Sequence, residues 1–329
     1  MYQTPFHPNH INLSKLTFLI TGGAGFIGSN LVDYLMIQGA GKVLVLDNFC
    51  EGRKINLQRW SSDARLEIFD GDINDYDLVL SLCQRADYIS HQAALGSVPR
   101  SIKTPMATNK ANVDGFLTVA FAAKEADVKK FVYASSSSVY GDHPILPKVE
   151  LQIGNALSPY AVSKRTNELY ALVFFKEYGL QTVGLRYFNI FGPNQNPAGP
   201  YAAVIPLFIE AILENKPVYI NGDGAQTRDF TFVLNAVKAN IKAMFTEHED
   251  SAGQVYNIAV GDQFSVLEMY HILCEQAGAT PQAIHRDARS GDIRNSLADI
   301  SKAEKLLDYT PEIRMLEGLK LTFDWFKNQ

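Results

Sequence analysis

Tyr160 and Lys164 stand four residues apart in Ser158-Pro159-Tyr160-Ala161-Val162-Ser163-Lys164. Four residues is one helical turn, so a phenol and an ammonium there leave the same face of a helix. An ammonium beside a phenol favours the phenolate and lowers the tyrosine pKa. A tyrosine tuned in this way can take a proton from a hydroxyl near neutral pH. Alone, Y-x-x-x-K is a common pattern on any solvated helix. The serine run Ser135-Ser136-Ser137-Ser138 ahead of Val139-Tyr140 adds hydroxyls that could hydrogen-bond the reacting oxygen beside Tyr160, although by itself it would read as a polar turn.

What sharpens the pattern is a glycine-rich stretch near the N-terminus, Thr21-Gly22-Gly23-Ala24-Gly25-Phe26-Ile27-Gly28. Gly23, Gly25 and Gly28 satisfy G-x-G-x-x-G, and Gly22, Gly25 and Gly28 satisfy G-x-x-G-x-x-G. Placed after an apolar strand and opening a helix at Phe26 and Ile27, such glycines allow a tight turn and close backbone approach to a pyrophosphate. The free N–H groups of the helix start then hold the anion. Asp47, about 20 residues beyond Gly28, is placed to accept both adenosine ribose hydroxyls and to repel a 2′-phosphate, which favours NAD over NADP. Asn48 either helps to hold the ribose or turns the chain. Asp72, in Gly71-Asp72-Ile73, either reaches the adenine or caps a helix.

The elements that must position these groups follow from periodicity. Leu16–Ile20, Lys42–Leu46, Leu66–Phe69, Tyr88–Ser90, Phe131–Ala134 and Gln181–Leu185 read as strands, and Phe26–Gln38 as a helix closed by Gly39. Val113, Phe116, Leu117, Ala120 and Phe121 form one apolar helical stripe. Strand and helix alternating predict an α/β fold with a doubly wound parallel (Rossmann) sheet. The pattern loosens after about residue 190, beginning with the turn-rich Gly192–Pro200. We therefore expect a nucleotide-binding domain over residues 1–190, with about 230–262 returning to it, and a smaller substrate-binding lobe over most of 191–329.

Composition removes several classes of function. With 47% apolar and 20% charged residues and a net charge of −5, the 329-residue chain offers no basic field for nucleic acid or an anionic membrane. No apolar run reaches the roughly 18 residues of a membrane span. Met1–Lys15 is polar and reads as a strap ahead of the first strand, without the layout of a signal peptide. Cys50, Cys83 and Cys274 are far apart, without metal-binding spacing, and suit a reducing, cytoplasmic setting. No metal is expected.

Together these motifs resemble the extended short-chain dehydrogenase/reductase family, in particular its nucleotide-sugar 4-epimerases, over nearly the whole chain. The resemblance implies a tightly bound NAD lined by Gly22, Gly25, Phe26, Ile27, Gly28, Asp47, Asn48, Asp72, Ile73, Gln92 and Ala93, together with Tyr160 and Lys164; Gln92 stands where leucine is usual. It makes Ser136 the catalytic hydroxyl, Tyr160 the base and Lys164 its partner. Gly96-Ser97-Val98-Pro99-Arg100-Ser101, Tyr201–Pro206, Ile220–Gly224 and Gly291–Ser296 are similar to bacterial enzymes acting on N-acetylated UDP-hexoses. By that likeness Gly96, Ser97, Ser137, Ser138 and Asn189 contact the substrate, and Ala203, Val204, Tyr219 and Asn221 surround the uracil and ribose. Arg228, Arg289 and Asp292 belong to the same set, the two arginines on the diphosphate. Ser296 matches the position whose size admits or excludes an N-acetyl group. The implied reaction is C4 inversion of UDP-N-acetylglucosamine through a 4-keto sugar, in an envelope-polysaccharide precursor route. Alternatives are the same inversion on the UDP-N-acetylglucosaminuronate or on non-acetylated UDP-glucose. Sister dehydratases and decarboxylases carry carboxylates where this chain has Ser137 and Ser138. A silent nucleotide-sugar binder would be expected to lose part of Ser136, Tyr160 and Lys164. The resemblance also implies a homodimer built on the Val113 and Tyr160 helices, to which the apolar Leu169, Leu172 and Val173 are suited.

Overall fold

The computed structural model describes residues 1–198, 203–287 and 294–329. Seven segments pair as parallel strands of one sheet: β1 (Thr17–Thr21), β2 (Lys42–Asp47), β3 (Leu66–Asp70), β4 (Tyr88–His91), β5 (Lys130–Ser136), β6 (Thr182–Tyr187) and β7 (Gln254–Ile258). Their spatial order is β7-β6-β5-β4-β1-β2-β3. The interior strands are apolar without alternation, as Phe18-Leu19-Ile20 and Val43-Leu44-Val45-Leu46 show, because helices cover both faces and bury every side chain. The boundaries lie within a residue or two of those expected from apolar runs.

Order reverses between β1 and β4, which opens a crevice above the carboxyl ends of those two strands. Helices follow the strands that flank it. Helix α1 (Phe26–Ile37) follows β1 and ends at Gln38, with Gly39 beyond it at φ +79°. Helix α2 (Tyr76–Cys83) is capped by Asp75, which accepts from the Leu78 N–H. Helix α4 (Pro159–Tyr178) starts at a Ser158 cap with Pro159 in its first turn and stops at left-handed Gly179.

The stripe expected from Val113 to Phe121 divides. A π turn over Lys110–Asp114 precedes α3 (Gly115–Glu125) and shifts the helical phase. Phe116 and Ala120 enter the core, whereas Phe121 is 40% exposed. The N-terminal strap is also less polar in effect than in composition. Tyr2 and Phe6 are buried against α1: the Phe6 ring stacks on Tyr34 at 5.1 Å, and the Tyr2 hydroxyl donates to Asn30 at 2.6 Å.

Beyond β6 the chain forms short strands and helices and then returns. Helix α5 (Val233–Phe245) is buried along nearly its whole length, and β7 then completes the sheet beside β6. Among the described residues no helix is long and apolar enough to cross a membrane, and no group of metal-ligating side chains gathers.

Candidate active site

At the β1 end the glycines are required by contact. A Cβ on Gly28 would lie 2.2 Å from the Gly22 carbonyl oxygen, and one on Gly22 would lie 2.6 Å from the Ala93 nitrogen. Gly22 also holds φ +67°. No side chain caps α1, so the N–H groups of Phe26, Ile27 and Gly28 remain available to a ligand there. Asp47 accepts the Ala24 N–H at 2.9 Å and the Phe49 N–H at 2.8 Å, one on each oxygen. Each oxygen keeps a further lone pair, enough for two ribose hydroxyls. Burial raises the Asp47 pKa against those two hydrogen bonds. Asn48 turns the chain, accepting from the Cys50 N–H, and its amide donates to Asp72. Asp72 makes an Asx turn with Asn74 rather than capping α2, a role that falls to Asp75. Asp47, Asn48, Asp72, Ile73, Gln92 and Ala93 line one cleft of about 90 Å³. A glycine cradle, a free helix start and a paired-acceptor carboxylate fit a dinucleotide carrying an unmodified ribose.

The Tyr160 end lies across the same crevice. Tyr160 is half-buried, with its phenol toward Ser136. Ser136 sits at the end of β5, where its Oγ accepts the Ser138 N–H at 3.1 Å. The Ser138 Oγ is buried and has no protein partner. Lys164 is 2% exposed; its Nζ donates to the Ala134 carbonyl at 2.8 Å and lies 5.9 Å from the Tyr160 ring centre. Burial lowers the Lys164 pKa to about 8, while nearby Glu168 draws it upward. The expectation that Lys164 pulls down the Tyr160 pKa does not hold in the chain alone. The ammonium is aimed at a backbone carbonyl, and burial raises the phenol against the single opposing Ser136 hydrogen bond.

Gln92 faces a buried polar cluster as well as the cleft. Its amide donates to Ser90 and Asn240, and its carbonyl accepts from the Tyr187 hydroxyl. That is the physical reason a polar side chain is tolerated at this position.

The lobe residues fall into two groups. Val204, Tyr219 and Asn221 line a pocket of about 440 Å³, with Ala203 next to Val204 at the start of a helix. Asn189, at φ +37°, donates to the Asp229 carbonyl. Arg228 donates to the Thr227 and Arg294 carbonyls. Ser296 lies beside this group, its N–H bonded to the Thr227 carbonyl. Gly96 is exposed, with nothing within 4 Å of a Cβ placed on it, and the Ser97 Oγ accepts the Arg100 N–H at the start of a short helix. Arg289 and Asp292 lie outside the described residues.

Comparison with known proteins follows the same lines. Residues 18–259 match the NAD dependent epimerase/dehydratase family. The chain belongs to this family. The UDP-glucose 4-epimerase of Mycolicibacterium smegmatis is 36% identical over 313 residues, covering 94% of this chain and 98% of the relative. Two solved structures are similar. The UDP-N-acetylglucosamine 4-epimerase of Methanobrevibacter ruminantium, in complex with UDP-N-acetylmuramic acid, has a TM-score of 0.89 at 38% identity, covering 95% of this chain and 98% of that one. The UDP-glucuronic acid 4-epimerase of Bacillus cereus, in complex with UDP-glucuronic acid and NAD, has a TM-score of 0.88 at 31% identity, covering 95% and 99%. These relatives share one reaction class and differ in the hexose. The chain is an NAD-dependent epimerase-class enzyme.

Several site features of this epimerase escape sequence reasoning. Asn112, in the π turn, accepts the Leu95 N–H at 2.8 Å and donates to the Ser163 hydroxyl, tying the loop after β4 to α4. A polar residue inside an apolar helical run was the available signal. Arg286 lies 3.4 Å from the Tyr219 ring centre and lines the same pocket. Arg100 forms an ion pair with Glu51 at 2.7 Å, across the mouth of the cofactor cleft. Neither pairing has a local sequence pattern, since each joins segments distant along the chain.

Proposed function

We propose that this enzyme inverts C4 of a UDP-N-acetylhexosamine, interconverting UDP-N-acetylglucosamine and UDP-N-acetylgalactosamine. The observation that carries the chemistry is the meeting of Tyr160, Ser136 and Lys164 at the carboxyl end of β5, across the crevice from the glycine cradle. Tyr160 takes the C4 hydroxyl proton, directly or through Ser136, and returns it after the sugar has turned. A bound NAD would supply the acceptor and donor of the C4 hydride and a positive charge that favours the phenolate. Lys164, buried beside the Tyr160 ring, is placed to hold the nicotinamide ribose. Ser138, whose hydroxyl is buried without a protein partner, is suited to a hydroxyl of the sugar. Arg228, with Arg289, holds the diphosphate while the hexose rotates. Asn189 belongs to the same phosphate contact, and Ala203, Val204, Tyr219 and Asn221 to the nucleoside. Ser137 and Ser138 supply no carboxylate for elimination or decarboxylation.

The N-acetyl preference rests on room. Open space surrounds Gly96, and Ser296 is small where a bulky side chain would close the pocket. The uronate reading needs a cation near C6, for which Arg100, close after Gly96 and Ser97, is the nearest in sequence. Arg100 is already engaged by Glu51 beside the cofactor cleft, which favours the neutral sugar. The exposed apolar faces of α3 and α4, with Phe121, Val162, Leu169 and Val173, suit a homodimer.

The test is proton NMR of the purified protein with UDP-N-acetylglucosamine and no added NAD. UDP-N-acetylgalactosamine in the product mixture supports both the reaction and a retained cofactor. Turnover of UDP-glucose or of the acetylated uronate alone reassigns the substrate, and inactivity on all three with NAD supplied sinks the epimerase reading.

A further inference from the structure

The strongest unassigned chemistry lies behind the site, one turn further along α4. Glu168 follows Lys164 by four residues on that helix, so the two side chains share a face and reach the same strand one turn apart. Lys164 donates to the Ala134 carbonyl of β5 at 2.8 Å, and Glu168 accepts from the Ser135 hydroxyl at 2.6 Å. Ser135 directly precedes Ser136. Opposite Ser135 in the sheet stands Arg186 of β6, fully buried. Its Nε and Nη2 donate to the two Glu168 oxygens at 2.8 and 2.9 Å, and its Nη1 donates to the Glu150 carbonyl at 2.9 Å. Arg165 donates to Glu168 from the outer side at 2.9 Å. The carboxylate thus accepts four hydrogen bonds while only 5% exposed.

A buried ion pair is a weak source of stability, because apolar residues of equal volume often do as well. What this one supplies is placement. We infer that Glu168 is a positioning residue, which clamps the β5 end bearing Ser136 to the helix bearing Tyr160 and Lys164. This inference rests on the catalytic roles proposed above and assigns what holds them in register.

An electrostatic consequence follows. Burial pushes Glu168 upward, but the hydrogen bonds and charge of Arg186, with help from Ser135 and Arg165, hold its carboxyl below the usual range. Its negative charge in turn favours the Lys164 ammonium. The other groups facing this pair are Tyr133 of β5, His91 of β4 and Lys302, with Tyr140 and Glu150 against Arg186. His91 is held neutral by burial and by Lys164, at about 3. Removal of the Glu168 charge leaves Arg186 uncompensated and lets Lys164 lose its proton at lower pH.

The experiment is kcat and KM against pH, from about pH 6 to about pH 10, for the NAD-loaded wild type and three variants, on UDP-N-acetylglucosamine and UDP-glucose. Glu168→Gln should keep KM within about twofold and lose about tenfold or more in kcat, as expected of misplaced groups. Its alkaline limb should move down by about one pH unit. Ser135→Ala should lower kcat with the limb unmoved, because only the hydroxyl link is cut. The double variant Glu168→Met with Arg186→Met removes both charges and decides the matter if the single variant fails to fold. A folded double variant with depressed kcat supports positioning; one with wild-type kcat shows that Glu168 only neutralises Arg186 and overturns it. An unmoved pH profile in a folded Glu168→Gln overturns it too. A wild type silent on both sugars instead removes the proposed function, and this inference with it.

Discussion

A lysine ammonium buried to 2% exposure with one backbone acceptor is an expensive group, and Lys164 carries that expense for the site. Its folded pKa of about 8 lies below the ordinary 10.5. Below about pH 8 the folded chain bears the full cost of the buried charge. Between there and the ordinary value the unfolded chain binds a proton the folded one has released, so this group makes stability rise with pH. The cost is on the order of 3 kcal/mol. Lys164→Met should therefore abolish turnover while Tm, by calorimetry at pH 7, holds or increases; a large fall in Tm would show that the Ala134 hydrogen bond outweighs desolvation. The wild type should in turn lose activity above about pH 8 as the ammonium deprotonates. The spacing of Tyr160 and Lys164 is legible in sequence because it is one turn of one helix. The aim of Lys164 at Ala134 is not, because it depends on where a strand 30 residues earlier comes to lie.

At the scale of elements, the β1-to-α1 turn and the two loops flanking the cleft divide the work of holding the cofactor. Gly28→Ala would force a Cβ to 2.2 Å from a backbone oxygen, whereas Gly96→Ala meets open space. Nucleotide released on denaturation should be strongly reduced for the first and unchanged for the second. The Arg100–Glu51 pair joins the loop after β2 to the short helix Val98–Lys103. Glu51 is 54% exposed on its side chain, so the pair contributes at most about 1 kcal/mol. Glu51→Ala should speed NAD release by up to about fivefold in a stopped-flow or filtration chase, and an unchanged rate would show the pair is incidental. Strands β1 and β2 are legible because a doubly covered parallel strand must be an unbroken apolar run. The π turn ahead of α3 is not, because it has no residue pattern of its own, and five residues along α3 carry Phe121 well round from the buried Phe116. Asp72 misleads for a related reason, since an acidic residue ahead of a helix fits an Asx turn as well as a cap, and Asp75 lies close enough to take the cap.

For the whole molecule, α3 and α4 leave several apolar residues outside, among them Phe121 and Val162, with Leu169 50% and Val173 48% exposed. This is the face that the proposed homodimer would cover. Leu169→Glu should shift the mass measured by light scattering toward the monomer, and an unaltered mass would move any dimer interface elsewhere. The N-terminal strap was legible as a strap but not in its packing, because Tyr2 and Phe6 reveal themselves only against Tyr34 and Asn30. The position of β7 has a consequence for synthesis. This strand lies at the edge of the sheet, yet it is encoded about seventy residues after its neighbour β6, beyond much of the lobe. At roughly 5–20 residues per second, a ribosome leaves the β6 edge unpaired for several seconds, apolar and open to another nascent chain. A fragment ending at residue 253 should accumulate in the insoluble fraction on expression, where the full chain does not. The intervening residues are thus a detour in translation, and the catalytic sheet is closed only when the ribosome has come back from it.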